Sequence, residues 1–580
     1  NIERIVGCGI WPVTIATTLL KPSGYQRSIQ LAELASKVVK SPFTKIDVVA
    51  LNELAQGVPN DPNYRKSIKM PPARKNGKKV PLIDCFVAGC QEGCPIQQDI
   101  PTYIRLNGEG KYVESLKVIL DRNALPFMTG TICAHPCMSN CVRNVYESSV
   151  EIRETKLDSA NKAAAQVLAD LKPTGTSSKR VAVIGGGPGG MAAAFHLARA
   201  GAAVTLFEKT DALGGIVQHV IPNFRIDAET IAKDVAWIEK LGVKIVKNHE
   251  IKDIAALKEK GFDAVVLAVG ASKLSHIKVD GINVRNAIEF LGEFNRTEGK
   301  VDLGKKVVII GGGNTAMDTA RAAKRCAGVE EVSLVYRRTM RYMPADEEEL
   351  RFALDDGIAF KELLAPVKWA NGELVCNKLE LGDMDESGRR SFVETGETVV
   401  IPCDSIIAAL GEKVPTDYYT SNGLAVDEKG IPTIDKATYE SSVKGVYVCG
   451  DGRIGPKTIV QAEADAIVVA NAILERKDWK VTPLPESETA IYAKRGILNH
   501  PAKDVHEKHR CLSCSTICEI CTEVCPNRAN ISIKVPGITM PQIVHVDYMC
   551  NECGNCETFC PWSSAPYKDK LTLFANEPDF

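Results

Sequence analysis

Short apolar runs ending in glycine recur through the middle of the chain, each followed by an alanine-rich or amphipathic stretch. Residues 181–184 (Val-Ala-Val-Ile) are such a run, and a glycine cluster at 185–190 and a helical pattern over 191–200 follow. A continuous apolar run bounded by turn residues predicts a strand buried on both faces. A second strand is predicted at 203–207. The same order returns at 306–310, a glycine cluster, a helix and a strand at 331–336. Strand-plus-glycine segments at 263–270 and 404–411 resemble each other, and 446–451 and a helix starting at Thr458 close the region. Strands alternating with helices predict two parallel-sheet α/β units. Upstream, helical patterns lie at 112–120 and 161–171, and a Pro-Thr-Gly-Thr-Ser-Ser linker follows the second. Apolar runs at 10–20, 29–39 and 46–54 look like the closing elements of an α/β unit, joined on by a basic stretch over 66–79.

The 580 residues predict about three to five domains. With 71 Lys+Arg against 72 Asp+Glu, the net charge of −1 supplies no field for nucleic acid or an anionic membrane. No apolar run is long enough to span a bilayer. The twenty cysteines change the picture. Fifteen fall at 85–94, 133–141 and 511–560, and short regular gaps in a long chain without a signal-peptide layout point to metal and a reducing, cytoplasmic setting. The other five (Cys8, Cys326, Cys376, Cys403, Cys449) lie in apolar surroundings and read as buried structural thiols.

In the first glycine cluster, Gly185 permits a tight turn, Gly187 lets backbone approach a pyrophosphate, and Gly190 lets helix and strand pack closely. The next strand ends in Glu208, placed to bind a ribose diol. This is an FAD-type site. The second cluster, with Gly311, Gly313, Asn314, Thr315 and Ala316, is the GxGxxA variant. Its following strand ends in Arg337-Arg338 where the first has an acid, which favours NADP over NAD. Gly450-Asp451 sets a carboxylate just after a strand, within reach of ribityl hydroxyls, and the helix beginning at Thr458 can stabilise negative charge on a reduced flavin.

Cys550-x2-Cys553-x2-Cys556-x3-Cys560-Pro is the bacterial ferredoxin run, and Cys518-x2-Cys521-x3-Cys525-Pro is its partner half. Crossed ligation would give one [4Fe-4S] cluster to Cys525, Cys550, Cys553 and Cys556. The other would go to Cys518, Cys521, Cys560 and either Cys514 or Cys511. Zinc competes for any lone CxxC pair, and two interlocked halves argue against it. The earlier cysteines, Cys85, Cys90, Cys94, Cys133, Cys137 and Cys141, flank a helical segment with less regular gaps.

Residues 180–478 resemble the two-dinucleotide flavoprotein of the glutamate synthase small-subunit family, shared with the N-terminal half of dihydropyrimidine dehydrogenase. Leu213-Gly214-Gly215 and Ile221-Pro222 match that family's flavin-contact segments. Related disulfide reductases carry a redox cysteine pair there, and 214–222 has no cysteine. The resemblance implies that Cys85, Cys90 and Cys141 hold one cluster and Cys94, Cys133 and Cys137 another. The family's first cysteine falls at Leu82 and its last ligand near Lys156, so Asp84, Glu154 or a partner group is left to complete the sets, and two clusters, one, or zinc stay open. The order of modules most resembles the flavin/iron–sulfur subunit of bacterial selenate reductase, in which an α/β region precedes the part seen here.

The expected architecture is therefore multidomain. An α/β remnant and linker (1–80) precede a helical iron–sulfur domain (81–172). An FAD domain (180–300 and 405–478) encloses an NAD(P) domain (301–404), and an α+β ferredoxin-like domain follows (485–580). The expected function is hydride exchange between NADPH and FAD, then single-electron transfer through three or four clusters to or from a partner oxidoreductase such as a molybdenum enzyme. A self-contained dehydrogenase for a small organic substrate is the first alternative; the stretch 479–510 is too short for a catalytic barrel, which counts against it. A non-enzymatic electron wire is the second.

Overall fold

The computed structural model describes residues 2–39, 45–61, 64, 66–70, 72–83, 85, 88–384, 390–477, 488–497, 506–514, 518–537 and 541–579. Two five-stranded parallel sheets organise the middle of the molecule. The first has the order 446–448, 264–267, 180–184, 203–207, 244–246. Helices Pro188–Arg199, Ala228–Lys240 and Ile459–Ile473 cover the face that buries Val181, Val183, Val204 and Leu206, and a second cluster with Ile254, Leu257, Tyr419 and Leu424 buries Ala182, Ile184, Val265 and Val448 on the other. The second has the order 285–286, 405–408, 306–310, 331–336, 359–362, again all parallel. A three-stranded antiparallel meander, Leu364–Ala370, Glu373–Met384 and Arg390–Pro402, is attached to it.

This register corrects two expected boundaries. Ser405–Ala408 pairs with Lys306–Ile310, so it belongs to the second unit and not to the first. Arg285–Asn286 and helix Ala287–Thr297 also belong to the second unit. The chain crosses between units just after each of the two similar strand-plus-glycine segments. Lys273–Leu274 and Glu412–Lys413 pair antiparallel there as a narrow ribbon.

Helices Ile100–Gly108, Tyr112–Leu120, Pro126–Ile132 and Ile152–Asp170 form the cysteine-bearing unit. The last starts well before the expected 161, because Ile152, Thr155 and Lys156 are already buried against its neighbours. This unit shares one continuous core with the first sheet, and Phe127 stacks on Trp237 across the seam with ring centroids 6.5 Å apart. The C-terminal unit pairs Asn530–Ile533 antiparallel with Gln542–Val546, which runs parallel to Leu571–Leu573. Short helices Ile520–Glu523 and Asn555–Phe559 carry its cysteine loops. Among the described residues up to 61 the regular elements are helical, chiefly Gly24–Val38 and Val48–Gly57. No helix among the described residues is long and apolar enough to cross a membrane.

Candidate functional site: two nucleotide cradles and four groups of thiols

The first cradle is built from backbone. Gly185 has φ +103°, and a Cβ there would lie 2.3 Å from the Ala268 carbonyl oxygen; at Gly190 it would lie 1.9 Å from the Gly185 carbonyl oxygen. These two glycines are demanded by packing. Gly187 differs: its nearest neighbour is the Gly215 Cα at 3.8 Å, so the space beside it is open. A Cβ on Gly189 would lie 3.4 Å from the Gly450 Cα. Bare backbone from the 185–190, 213–216 and 449–451 loops thus meets at the start of helix Pro188–Arg199, where free N–H groups favour a phosphate. A Cβ on Gly187 would fill that opening, which is the fit expected of a pyrophosphate cradle. Both Gly214 and Gly215 have positive φ, and Gly214 donates its N–H to the Gly186 carbonyl at 2.7 Å.

Glu208 is buried at the end of its strand. It accepts hydrogen bonds from Gly186 N at 2.7 Å and from Thr210 N and Oγ1, each at 2.8 Å. Thr210 was not singled out by the sequence reading. Asp451 opens a short helix and accepts from Lys457 N at 3.0 Å, and burial pushes its acid up to about 6. Thr458 caps helix Ile459–Ile473 by accepting from Gln461 N at 3.3 Å. Two further residues escaped the sequence reading. Asp465 accepts from Gly450 N at 3.2 Å and from Arg453 Nε at 2.8 Å, fixing the loop that carries Asp451. The detectable signal was an acid inside an apolar helical run.

The second cradle repeats the first. Gly311 lies against the Ala409 carbonyl oxygen as Gly185 lies against that of Ala268, with a Cβ distance of 2.6 Å. The two carbonyls come from the two similar strand-plus-glycine segments. Nothing lies within 4 Å of a Cβ on Gly313. Asn314 exchanges hydrogen bonds with Asp346, 2.9 Å from its amide nitrogen and 2.8 Å to its amide oxygen, and Ala345 N donates to the Gly312 carbonyl at 3.0 Å. Thr315 and Ala316 begin the helix, where Ala316 is fully buried at the helix–strand contact. The two arginines separate. Arg337 is exposed at the strand end. Arg338 is buried, donates to the Arg390 carbonyl and lies with Arg337 against Phe392. The meander thus holds Arg338, and Arg337 is the one facing solvent.

The fifteen clustered cysteines fall into groups that their sequence spacing does not give. Cys525, Cys550, Cys553 and Cys556 line one cavity. Ala529 N donates to the Cys525 sulfur at 3.2 Å and Glu552 N to the Cys550 sulfur at 3.3 Å, and backbone bonds to ligand sulfurs are among the contacts that set a cluster's potential. Cys94, Cys133 and Cys137 are buried together; the Cys137 thiol is pushed up by burial first, then by Cys94 and Cys133, with Lys156 opposing. The Cys90 thiol is pushed up by burial and then by Cys141, Cys514 and Cys511. Cys85 packs on Cys560 and Trp562. Cys85 stands apart from Cys90 and Cys141 in this packing, because residues 76–81 bond to the C-terminal unit. Cys514 feels Cys518 first among its charged neighbours, then Cys511 and Cys141, so it stands between the two units. Glu154 does not reach the sulfurs: it pairs with Arg153 at 3.0 Å, half exposed. Asp84 lies outside the described residues.

No three Cys, His, Asp or Glu side chains among the described residues converge as ligands of one metal ion would. A [4Fe-4S] cubane takes one thiolate at each of four iron corners and spreads its ligands more widely. Grouped, buried thiols fit that donor set. The scattered five cysteines are all buried, as expected of structural thiols.

Comparison with known proteins places these features. Residues 179–466 match the family described as pyridine nucleotide-disulphide oxidoreductase, and 78–166 match dihydropyrimidine dehydrogenase domain II, 4Fe-4S cluster. Residues 1–66 match the N-terminal TIM-barrel domain of oxidoreductase YgfK. The chain is 42% identical to an oxidoreductase YgfK of Escherichia coli K12, across 100% of this chain and 58% of that protein, so it spans little more than half of that relative's length. It is 33% identical to the NADPH-Fe(3+) oxidoreductase subunit beta of Geobacter sulfurreducens over 74% of this chain and 69% of that one. It is 31% identical to the glutamate synthase [NADPH] small chain of Azospirillum brasilense over 69% of this chain and 88% of that one. The chain belongs to the family of pyridine-nucleotide-linked flavin and iron–sulfur oxidoreductases that includes the glutamate synthase small chain.

Proposed function

We propose that this chain exchanges hydride between NADPH and FAD and relays single electrons through [4Fe-4S] clusters to or from a partner oxidoreductase. The observation that carries the reading is the pair of open glycine positions, Gly187 and Gly313, each at a helix N-terminus beside a parallel sheet, with buried thiols sharing the core of the first sheet. A flavin held in the first cradle would supply the step between paired and single electrons. The chain's own groups bind and orient. Glu208 offers carboxylate to a ribose, the Asp451 loop offers carboxylate to a ribityl chain, and Thr458 presents a capped helix N-terminus. Arg337 offers charge to a 2′-phosphate. The relatives named for NADPH support that choice of nucleotide.

Anaerobic addition of NADPH to the reconstituted chain should bleach flavin absorbance first and cluster absorbance afterwards. Flavin that stays oxidised in excess NADPH and NADH would refute the reading. The resemblance to the selenate reductase subunit suggests an oxyanion-reducing partner, which would appear as acceptor turnover only when that partner is added. A second reading, a dehydrogenase complete in one polypeptide, is favoured by the match of residues 1–66 to a TIM-barrel domain. Turnover of a small organic substrate without a protein partner would select it.

A further inference from the structure

We infer that two of the iron–sulfur sites are built across the seam between the helical unit and the C-terminal unit, with Cys511 and Cys514 completing a site begun by Cys90 and Cys141, and Cys85 completing a site begun by Cys518, Cys521 and Cys560. The inference rests on the iron–sulfur reading above. It narrows a shortage within that reading: six cysteines in the helical unit cannot supply eight ligands, nine in the C-terminal unit are one more than two clusters need, and the exchange leaves only the set of Cys94, Cys133 and Cys137 one thiolate short of four.

Two strands of chain cross the seam in opposite directions. Residues 75–83 and Cys85, which precede the helical unit, follow the C-terminal one. Asn76 N donates to the Pro561 carbonyl at 2.7 Å, Ser563 N to the Asn76 carbonyl at 2.9 Å, and Lys570 Nζ to the Pro81 carbonyl at 2.6 Å. That path sets Cys85 against Cys560 and Trp562. Residues 506–511 make the reverse crossing. Lys508 Nζ donates to the Gly108 carbonyl at 2.6 Å, Glu151 N to Glu507 at 3.1 Å, and Arg510 Nη2 to the Ser148 carbonyl at 2.9 Å. Cys511 thereby enters the buried core that holds Cys90, with Cys141 and Cys514 packed on it.

Each unit thus lends cysteine to the other. Cys514 packs both on the core that holds Cys90 and, with Cys518, on the cluster of Leu512 and Ile520. The sites would run from the thiols beside the first sheet to the cavity of Cys525, Cys550, Cys553 and Cys556.

Paired substitutions in the full chain test the assignment through iron and sulfide counts and low-temperature EPR of the reduced protein. Removing two ligands of one cluster should lose about four irons, and removing ligands of two clusters about eight. Cys85→Ala with Cys560→Ala is expected to lose four, and Cys85→Ala with Cys90→Ala eight. Cys511→Ala with Cys90→Ala is expected to lose four, and Cys511→Ala with Cys560→Ala eight. The opposite pattern overturns the inference. If the variants misfold, alkylation of the unsubstituted protein during graded cluster oxidation gives the same answer: Cys85 should become labelled in step with Cys560 and Cys511 in step with Cys90. Labelling of Cys85 in step with Cys90 overturns it. Unsubstituted protein that binds no iron would instead refute the proposed function, a separate result.

Discussion

At the scale of single residues, the glycines of the first cradle divide into those the fold needs and those a ligand needs. Gly190→Ala would drive a methyl into the Gly185 carbonyl, so the expected result is an unstable protein. Gly187→Ala meets nothing closer than 3.8 Å. Its melting temperature without flavin should match that of the parent, while flavin affinity drops by roughly tenfold or more, about 1.4 kcal/mol. Equal flavin retention in both proteins would show that the pyrophosphate lies elsewhere. The arginine pair divides in the same way. Arg337→Ala should raise KM for NADPH roughly 10–100-fold and leave NADH unaffected, the worth of a charge-assisted hydrogen bond of about 1.5–3 kcal/mol. Arg338→Ala should lower the melting temperature and leave the preference between nucleotides alone, because its partner is the Arg390 carbonyl. From sequence the two are equivalent neighbours. Only the meander, which is far from them in the chain, tells them apart.

At the scale of elements, helix Pro126–Ile132 is held at its N-terminus by carboxylates from the first nucleotide unit. Asp234 accepts from Phe127 N at 3.1 Å and Met128 N at 2.7 Å, and Glu463 accepts from Leu125 N at 3.0 Å. Burial pushes Asp234 up to about 7 and Glu463 up to about 8. A carboxyl whose folded pKa is raised binds its proton more tightly in the folded chain, so ionising it opposes folding. That opposition sets in above the ordinary carboxylate range and is complete above the raised values. Stability of this seam should therefore fall as pH rises from about 4 to about 8 and level off above, and Glu463→Gln should flatten the fall, read by urea unfolding at each pH. Asp234→Ala, which orphans two buried donors, should cost about 1–3 kcal/mol for each. A seam whose stability does not change with pH would sink this account. The elements themselves were largely legible. Strands at Ala203–Phe207, Lys306–Ile310 and Glu331–Tyr336 and helix Tyr112–Leu120 fall where apolar periodicity places them, because that signal is local. The meander was not: Arg390–Pro402 is exposed along most of its length and carries no alternation to read. Nor was the membership of Ser405–Ala408, which is a matter of pairing with a strand about a hundred residues earlier. The cysteines were legible as ligands and illegible as sets, since spacing within a loop says nothing of which loops face each other.

At the scale of the whole molecule, three further seams are each fastened by an arginine bound to carboxylates. Arg225 joins the two nucleotide units through Asp318, at 2.9 and 2.8 Å, and through Glu349. Arg153 joins the helical unit to the second nucleotide unit through Glu348, at 2.9 and 3.0 Å. Arg510, fully buried, joins the C-terminal unit to the helical one through Glu147 at 3.2 Å while also pairing with Glu507 at 2.8 Å. Buried charges of this kind add little net stability against an apolar replacement, but losing one partner strands the others, at about 3–5 kcal/mol. The last fastening matters most for electron flow, because it holds the crossing segment that delivers Cys511. Arg510→Ala leaves both nucleotide cradles untouched. Stopped-flow mixing with NADPH should therefore bleach its flavin at the parental rate. Onward reduction of an artificial one-electron acceptor should fall, together with iron content and with resistance of the 506–514 segment to protease. Were flavin reduction itself to slow, the seam would belong to the hydride step; were the acceptor rate to hold with iron intact, the route through the C-terminal unit would have to be given up.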